Sequence, residues 1–431
     1  MSTPQTAPVL PPDATRPEPA LPRLPKLDIT QILTGDWPGA ALTALATLLT
    51  AFVASALLVA LMHPDGVGVR GFLTVVTLIT GSAFGGNTTG HVSDQGPGTI
   101  SVGAYPLTVT VLALAVATVL LSRQLRRYPD WTGAAIHAVR TALVFAAGIV
   151  VLTLVFRSTL FIPATFGDVS NRVTQDNGTF ALESGTWSSH AGGAAAVGVL
   201  FLLLIAAGLI LMRDDTLPPA VVLVRGWVAG PLRSIGVLVA GSVALGAIAA
   251  VVLFVKDSNT HNTSSIAIWL AILPNLGITA LYTGAGAGLH YVTHAGKYHL
   301  TTSQHLTHFT DHLSPVLWGL PVLTLVVFGA SALFLAYRSG PGGIQADMLR
   351  WLVALVVATP ILVHLAAYHA TYRSGARGKQ VATITVGIDS WQAIGLALAW
   401  GFAIALVVTA VARSRAQRSG AAPTSWSGPT G

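Results

Sequence analysis

Long apolar runs alternate with short polar segments along most of this chain. Nine of the runs are long enough to cross the hydrocarbon core of a bilayer, which takes roughly 20 helical residues. They cover Gly39–Met62, Ala104–Leu121, Ile136–Phe156, Gly192–Met212, Ile235–Val255, Ile266–Thr283, Pro315–Tyr337, Trp351–Ala370 and Trp391–Ala412. A tenth run, Gly71–Gly86, is shorter and ends in glycines, which is typical of a half-span, a re-entrant helix or a short tilted crossing. The pattern predicts an all-α polytopic membrane bundle of 8–10 transmembrane helices.

The composition of the whole chain agrees with a membrane location. Hydrophobic residues make up 52% of the 431 residues and charged residues 9%, whereas soluble domains carry about 25% charged residues. The absence of cysteine excludes a disulfide scaffold, an iron–sulfur centre and a zinc site with cysteine ligands. The 19 Arg and 4 Lys are spread thinly, and without a concentrated basic face we expect no nucleic-acid binding.

Polar segments at both ends divide the chain into four parts. Eight prolines lie between Pro4 and Pro25, a composition typical of a disordered tail that buries no core. The domain prediction is a Pro-rich tail over residues 1–37, a first membrane repeat over 38–213, a second over 214–412, and a disordered tail over 413–431.

A repeated order of sequence signals predicts that the two membrane parts are similar halves. Thr80–Gly85 ends the short tenth run, and Thr283–Gly288 ends the sixth long one. A polar loop follows each segment and leads to a helix that opens near a proline and closes with an arginine. Pro106 precedes Arg123 by 17 residues, and Pro321 precedes Arg338 by the same 17. The same order of Thr-Gly, Pro and Arg signals in both parts indicates an internal duplication.

Counting Lys and Arg in the loops predicts the topology, because cytoplasmic loops carry the excess. If all ten runs cross, the 23 basic residues divide into 11 inside and 12 outside. If the two Thr-Gly segments enter and leave by the same face, eight helices cross and the division becomes 15 inside and 8 outside. The second arrangement predicts parallel repeats in the plasma membrane, with both tails cytoplasmic. Arg140, near the start of its helix, is expected to reach the cytoplasmic headgroups.

No acidic residue lies in the middle of an apolar run. Ion-driven transporters usually keep a carboxylate there, where it is loaded and released as the site changes sides. Paired acids for general acid–base chemistry are also missing, and the chain has no Walker A sequence and no His-Glu-x-x-His. These absences argue against ion-coupled transport, and we predict no enzymatic activity and no cofactor.

The two Thr-Gly segments are the best candidates for a ligand-binding cavity between the halves. A helix broken at glycines can line a cavity in which unpaired amides or carbonyls meet a polar ligand. The alternative is close helix packing, because the G-x-x-x-G spacing also lets another helix approach. The predicted cavity residues are Thr80, Gly81, Gly85, Thr283, Gly284 and Gly288.

Histidine 364 is a further candidate for this cavity, because it lies within the apolar run Trp351–Ala370. An ionisable residue inside a membrane span is a functional hypothesis by default. The alternative is a neutral imidazole that is hydrogen-bonded to a neighbouring helix.

Six of the 13 histidines fall between residues 290 and 312. On a helix, His305, His308 and His312 would share one face, and His290 and His294 would be neighbours one turn apart. Imidazoles so spaced can hold Zn²⁺, Ni²⁺ or Cu²⁺, so the metal-site prediction is His305, His308 and His312. The alternative is a hydrated polar loop that binds no metal.

Several weak motifs, in this order, resemble the streptophobe family of actinobacterial multi-pass hydrophobic membrane proteins. They are the Gly-rich turn Gly81–Gly90, the segment Ile100–Leu107, the Arg123–Arg127 cluster, and Leu273-Pro274-Asn275 before the second Gly-rich turn. The resemblance covers about residues 34–413 and implies the membrane architecture. The family has no assigned activity, so the resemblance implies no catalytic residue.

Two functional classes stay open from the sequence. One is transport or lipid handling, with a cavity between the two repeats. The other is a non-catalytic membrane scaffold or regulatory subunit, which would bind a protein partner through its Pro-rich and Arg-bearing tails. The lipid bilayer is the expected partner in both cases, and the sequence does not predict an oligomeric state.

Overall fold

Helices form most of the protein. The computed structural model describes residues 29–62, 68–92, 98–156, 158–160, 185–213, 217–256, 263–295, 298–304, 318–338, 343–374 and 379–418. The helices in chain order are α1 Ile29–Leu33, α2 Trp37–Met62, α3 Val69–Ala83, α4 Leu107–Leu125, α5 Trp131–Val155, α6 Ala191–Leu211, α7 Pro219–Lys256, α8 Thr263–Ala271, α9 Leu273–Gly284, α10 Leu320–Arg338, α11 Ile344–Ala366 and α12 Ser390–Arg418.

Among the described residues, eight helices are long and apolar enough to cross a membrane: α2, α4, α5, α6, α7, α10, α11 and α12. Only 22–39% of each candidate span is buried inside the protein, and large side chains such as Leu42, Leu49 and Leu204 are exposed on the outer faces. Such surfaces suit lipid, in which a helix satisfies its own backbone hydrogen bonds. The chain is a multi-pass membrane protein, and the predicted helix bundle is confirmed with eight candidate spans.

The run Ile266–Thr283, predicted as a long span, instead forms two short helices. α8 ends at Ala271, and α9 begins at Leu273, one residue before Pro274. Proline lacks a backbone N–H and fits a helix best in its first turn, so a new helix starts here. α3 has 15 residues, which is about 22 Å of helix at 1.5 Å per residue. α3, α8 and α9 are therefore each too short to cross about 30 Å of hydrocarbon.

Polar loops on one side of the helices form an antiparallel sheet that the sequence analysis did not anticipate. Its strands are β1 Thr88–Val92, β2 Gly98–Gly103, β3 Ser158–Leu160, β4 Gly185–Ser189, β5 Leu289–Ala295, β6 Tyr298–Gln304, β7 Tyr368–Ser374 and β8 Lys379–Ile388. Their order is β3-β4-β1-β2-β7-β8-β5-β6. β2 pairs with β7 through partners such as Val102 and Ala370, so the sheet joins the two parts of the chain.

The sheet determines which elements lie on the same side of the membrane. All four strand pairs β1–β2, β3–β4, β5–β6 and β7–β8 belong to it. Each pair carries several Ser, Thr or His residues, whose side chains find no hydrogen-bond partner in hydrocarbon, so the sheet lies outside the bilayer. The spans α4 and α5, α6 and α7, and α10 and α11 therefore each leave the sheet side and return to it. It follows that α3 and the α8–α9 pair begin and end on the sheet side. The start of α2 and the end of α12 lie on the opposite face, which we call the tail side.

The helices pack in two groups that have the same pattern of neighbours. Within residues 37–211, α2 packs against α3, α4 and α5, and α6 packs against α4 and α5. Within residues 219–418, α7 packs against α9, α10 and α11, and α12 packs against α10 and α11. Each group has its own buried core, and each core also contains one residue from a helix of the other part of the chain. Leu107 of α4 joins the second core, and Ala271 of α8 joins the first.

Candidate functional site at the junction of helices and sheet

The two Thr-Gly segments end α3 and α9 with the same backbone turn. Gly85 and Gly286 have left-handed φ angles of 83° and 109°, which glycine adopts without the steric cost of a Cβ. The amide one residue further on donates to the carbonyl five residues before it, at 2.9 Å in both turns. This is the Schellman motif, which satisfies the carbonyls that a helix end leaves unpaired.

The turns correct the sequence alignment of the two segments by two residues. The structural counterpart of Gly85 is Gly286, whereas the Thr-Gly pattern aligned Gly85 with Gly288. Gly85 and Gly288 both lie beyond the last helical residue, so their spacing from Gly81 and Gly284 does not create a G-x-x-x-G helix face. Alternating Gly and Ala allow several alignments, which is why the sequence pattern alone chose the wrong one.

The first turn is held by residues of its own helix group. Thr80 is fully buried, and its hydroxyl lies 3.0 Å from Ser55 Oγ on α2. Thr110 of α4 donates to the carbonyl of Ala83 at 2.7 Å. Gly81 lies against Ser189, whose Oγ would overlap a Cβ at Gly81.

The second turn is also held within its own group. Gly284 lies so close to Thr324 and to the backbone of Leu320 that a Cβ would not fit. The amide of Gly288 donates to Gln392 Oε1 on α12 at 3.1 Å. Thr283 is buried, and its hydroxyl has no hydrogen-bond partner in the described part of the chain. The predicted cavity residues thus pack in two places, one in each helix group.

Asn275, on α9, joins the two helix groups. Its Oδ1 accepts a hydrogen bond from the amide of Leu107 at 3.3 Å, at the start of α4. Its Nδ2 donates to the carbonyls of Tyr105 and Leu365 at 2.9 and 3.3 Å. One amide side chain therefore ties together α4, α9 and α11. From the sequence, Asn275 was noted only for a resemblance, and this contact between the helix groups was not predicted.

His364 lies in the last turn of α11, at the boundary with the sheet, and its side chain is exposed. Its ring centroid is 6.4 Å from that of Tyr105 and 6.0 Å from that of His369 on β7. Burial raises the pKa of Tyr105. Partial burial, and then the neighbouring charge of His364, lower the pKa of the His369 ring. The structure therefore places this predicted residue near the sheet and away from the middle of a span.

The strand registers sort the sheet residues into an apolar and a polar face, because successive residues of a strand point to opposite sides. Among the residues whose side chains the structure describes, the apolar face carries Ile100, Val102, Trp187, Leu289, Tyr291, Tyr368, Ala370, Ile384, Val386 and Ile388, with Thr88, Ser189, Thr293 and Thr302 as its polar members. The polar face carries, among the described side chains, Thr89, His91, Thr99, Ser101, Ser188, His290, His294, Thr301, Ser303, His369, Thr371, Thr383 and Thr385, with Val292 as its apolar member.

Three polar groups on the apolar face are buried and have no hydrogen-bond partner among the described residues. They are Trp187 Nε1, Ser189 Oγ and Thr293 Oγ1. Trp187 is 7% exposed and Ser189 is 4% exposed. The registers place Ser189 and Thr293 in the same row across the sheet. The apolar face thus combines hydrophobic side chains with three buried polar groups that have no partner in the described part of the chain.

His137, Gln124 and Tyr128 form a buried polar cluster on the tail side that was not predicted from the sequence. His137 is 0% exposed, and its Nε2 lies 2.6 Å from Gln124 Oε1. Gln124 Nε2 donates to the carbonyl of Gly39, which leaves Oε1 as the acceptor. Nε2 of His137 therefore carries the proton, and Nδ1 accepts a hydrogen bond from the Tyr128 hydroxyl at 3.0 Å.

Arg140 does not reach the headgroups as expected. It is 4% exposed, and its Nε donates to the carbonyl of Ile32 in α1 at 2.8 Å. The guanidinium lies where a Cβ at Gly35 would be. A buried arginine needs hydrogen-bond acceptors, and the short helix α1 supplies one by folding over it.

The predicted metal ligands His305, His308 and His312 lie outside the described residues. His290 and His294, expected one helical turn apart, lie on strand β5 instead. Four residues along a strand span about 13 Å, so these two side chains cannot share an ion. Within the described ranges, no three potential metal ligands of the His, Cys, Asp and Glu types come together.

A groove of about 380 Å³ opens between α11 and α12 near the tail side. Its walls include Leu349, Leu352 and Phe402, and Arg413 lies at its end. It is separate from the junction of helices and sheet. Comparison of the chain with protein-family models, with curated proteins and with solved structures gives no match.

Proposed function

We propose that this membrane protein transports or otherwise handles a lipid-like amphipathic molecule at the boundary between the bilayer and its sheet. The observation that carries the proposal is the apolar face of the sheet, which begins where the helices end. Handling of such a molecule needs no catalytic acid or base.

The apolar face is continuous with the membrane-spanning helices. Only Ala367 separates Tyr368 from the end of α11, and only Asp389 separates Ile388 from the start of α12. Leu289 lies in the same end row as Ile388. An acyl chain that leaves the bilayer here stays on an apolar surface, and each CH₂ kept out of water is worth about 0.8 kcal/mol. This continuity supports movement of a chain between bilayer and sheet.

The buried donors on the same face favour a ligand with oxygen acceptors. The indole Nε1–H of Trp187 can only donate, and the hydroxyls of Ser189 and Thr293 can donate or accept. A buried polar group without a partner costs roughly 1–3 kcal/mol, so a ligand that bonds to these groups recovers that energy. The chemistry suits an acyl chain joined to an ester or phosphate head.

The proposal includes two similar halves that face the same way, with the sheet outside the plasma membrane and both tails in the cytoplasm. The matching helix neighbours in residues 37–211 and 219–418 support the similarity of the halves. The division of basic residues, 15 on the tail side and 8 on the sheet side, supports the orientation.

Photolabelling tests the lipid site directly. The full chain is reconstituted in vesicles that contain a phospholipid with a diazirine on its acyl chain, and the labelled peptides are mapped after illumination. We expect labelling of peptides from β5 and β8 as well as of the spanning helices. Ile384→Glu, on the apolar face, should abolish the strand labelling because it places a charge on the acyl path.

Thr383→Glu is the matched control, since it adds the same charge at the adjacent position on the polar face. It should leave the strand labelling unchanged. Trp187→Phe keeps the apolar ring and removes the donor, so it should weaken the strand labelling without abolishing it. Labels confined to the spanning helices in the wild-type protein would contradict lipid handling at the sheet and would favour the alternative of a membrane scaffold.

A further inference from the structure

The sheet has one junction between the two parts of the chain and two outer strands. β2 and β7 form the junction, and in the part of the chain that the structure describes β3 and β6 are the outer strands. The strand order within the first part, β3-β4-β1-β2, is repeated in the second as β7-β8-β5-β6. β2 therefore corresponds to β6, and β7 corresponds to β3. The counterpart of the β2–β7 junction is a pairing of β6 with β3.

Two independent anchors define equivalent residues in the two parts. Thr88 and Leu289 each lie three residues after the glycine with left-handed φ. Ser189 and Ile388 each lie one residue before the side chain that caps the next helix. These assignments agree with the registers, because Thr88 pairs with Ser189 and Leu289 pairs with Ile388.

Equivalent residues are displaced by four strands across the sheet and by four residues along it. The row of paired residues that begins at Thr88 runs across the sheet through Val102, Ala370 and Ile384 to Thr293. Its equivalent, Leu289, lies four residues from Thr293 on the same strand. Ser189 lies in the same row, and its equivalent, Ile388, lies four residues from Ile384 in the same direction toward the helices.

We infer that β6 and β3 meet and close the sheet into an eight-stranded barrel. A closed barrel requires a fixed total stagger of its strands. A displacement of four strands and four residues is half a turn of a barrel that has eight strands and a shear of eight, the values of the (β/α)₈ barrel. Four strands on from β3 lies β7. A second displacement of four strands leads from β7 back to β3, so two displacements complete one turn of the barrel. The inference rests on these registers, and its test does not depend on the proposed lipid function.

The closed barrel places the apolar face inside and the polar face outside. Trp187, on the apolar face, is buried, and His91, on the polar face, is exposed. Tyr368, at the helix end of the apolar face, is 39% exposed, and Thr302 of the outer strand β6 is exposed as well. An eight-stranded barrel has an interior just wide enough for its side chains or one small ligand. The β2–β7 pair Val102–Ala370 corresponds to Gln304–Leu160, and these two residues are the last described ones of β6 and β3.

Disulfide cross-linking tests the closure in the full chain, which has no native cysteine. The double variant Gln304→Cys with Leu160→Cys is oxidised with copper phenanthroline in dilute nanodiscs that hold one molecule each. We expect an intramolecular disulfide, seen as a cross-linked peptide by mass spectrometry. Val102→Cys with Ala370→Cys is the matched positive control, because it occupies the equivalent positions of the β2–β7 junction.

Failure of the first pair to cross-link, while the control pair cross-links, would overturn the closure. A disulfide that forms only between two molecules, in vesicles at high protein density, would also overturn it and would show that the edges pair between copies. If oxidation perturbs the protein, spin labels at the same two positions give a second measurement. Strong dipolar broadening supports closure, and its absence contradicts it.

Discussion

The side-chain oxygen of Asn275 accepts a hydrogen bond from the backbone amide of Leu107, 168 residues away in the chain. Leu107 lies near the start of α4, where the first four amides of a helix have no partner within the helix. Asn275 also donates to the carbonyls of Tyr105 and Leu365. Asn275, which directly follows the proline in the first turn of α9, thus connects the two helix groups.

Asn275→Ala should destabilise the protein because it leaves one buried amide and two carbonyls without their partner. We expect a loss of about 1–3 kcal/mol in the free energy of unfolding, measured by denaturant unfolding in one detergent. Gln345→Ala, at an exposed position of α11, is the control and should stay within about 0.5 kcal/mol of the wild type. Equal free energies of unfolding for Asn275→Ala and the wild type would show that the association of the two helix groups does not depend on this contact.

Gly277→Ala should be more harmful than another Gly→Ala change in the same helix group. A Cβ at Gly277 would overlap the backbone carbonyl of Ser242 on α7, so α9 and α7 would have to separate. Overpacking of this kind typically costs about 1–3 kcal/mol. Gly236→Ala on α7 meets no atom within 4 Å and should be neutral or stabilising by up to about 1 kcal/mol. Thermal unfolding of the two variants checks this ordering, and the reverse order would contradict the packing.

Release of α1 from Arg140 should expose the chain just before the first span. Gly35→Ala displaces the guanidinium by steric overlap, and Arg140→Gln removes the Nε donor to Ile32. We expect faster hydrogen exchange of residues 29–36 in both variants, with little change elsewhere. Gly68→Ala, which has open space around it, should exchange like the wild type. Unchanged exchange in both test variants would mean that Arg140 does not hold α1.

His369 should make the stability of the protein depend on pH. Its pKa is lowered from the ordinary 6.5 by partial burial and then by His364. The folded protein therefore binds this proton less readily than the unfolded chain. The contribution of the neutral ring is complete above pH 6.5 and is lost as the pH falls from 6.5 through the lower folded value.

Melting temperatures between about pH 5 and pH 8 measure this dependence. The wild type should lose more stability below pH 6.5 than His369→Gln does. His91→Gln, an exposed change on the same face of the sheet, should keep the wild-type dependence. A His369→Gln curve that runs parallel to the wild type at every pH would refute the role of His369.

The helix bundle was predictable from hydropathy, because lipid requires each span to satisfy its own backbone hydrogen bonds. The sheet was not predicted, since its strands are short and lie in polar loops that resemble ordinary connections. Lys379–Ile388 does alternate apolar and polar residues toward its end, a period of two that indicates a strand. The pairing of β2 with β7 depends on chain folding and has no local signal.

The residues of the junction were predicted only in part. Gly85 was among the predicted cavity residues, but Gly286, the other glycine with a left-handed φ, was not, because the Thr-Gly pattern aligned Gly85 with Gly288. Asn275 and the His137–Gln124 pair were missed, because each depends on a contact between helices whose relative rotation the sequence does not define. The metal prediction for His305, His308 and His312 stays a prediction.

The central claim is that all four strand pairs lie on one side of the membrane and the tails on the other. One cysteine is placed in each pair, as His91→Cys, Ser188→Cys, Thr301→Cys or His369→Cys, and Arg126→Cys marks the tail side. The measurement is reaction with a membrane-impermeant maleimide in intact cells. We expect all four strand positions to react from outside and position 126 to react only after permeabilisation. A strand position that reacts from the opposite side to the other three would contradict the single sheet.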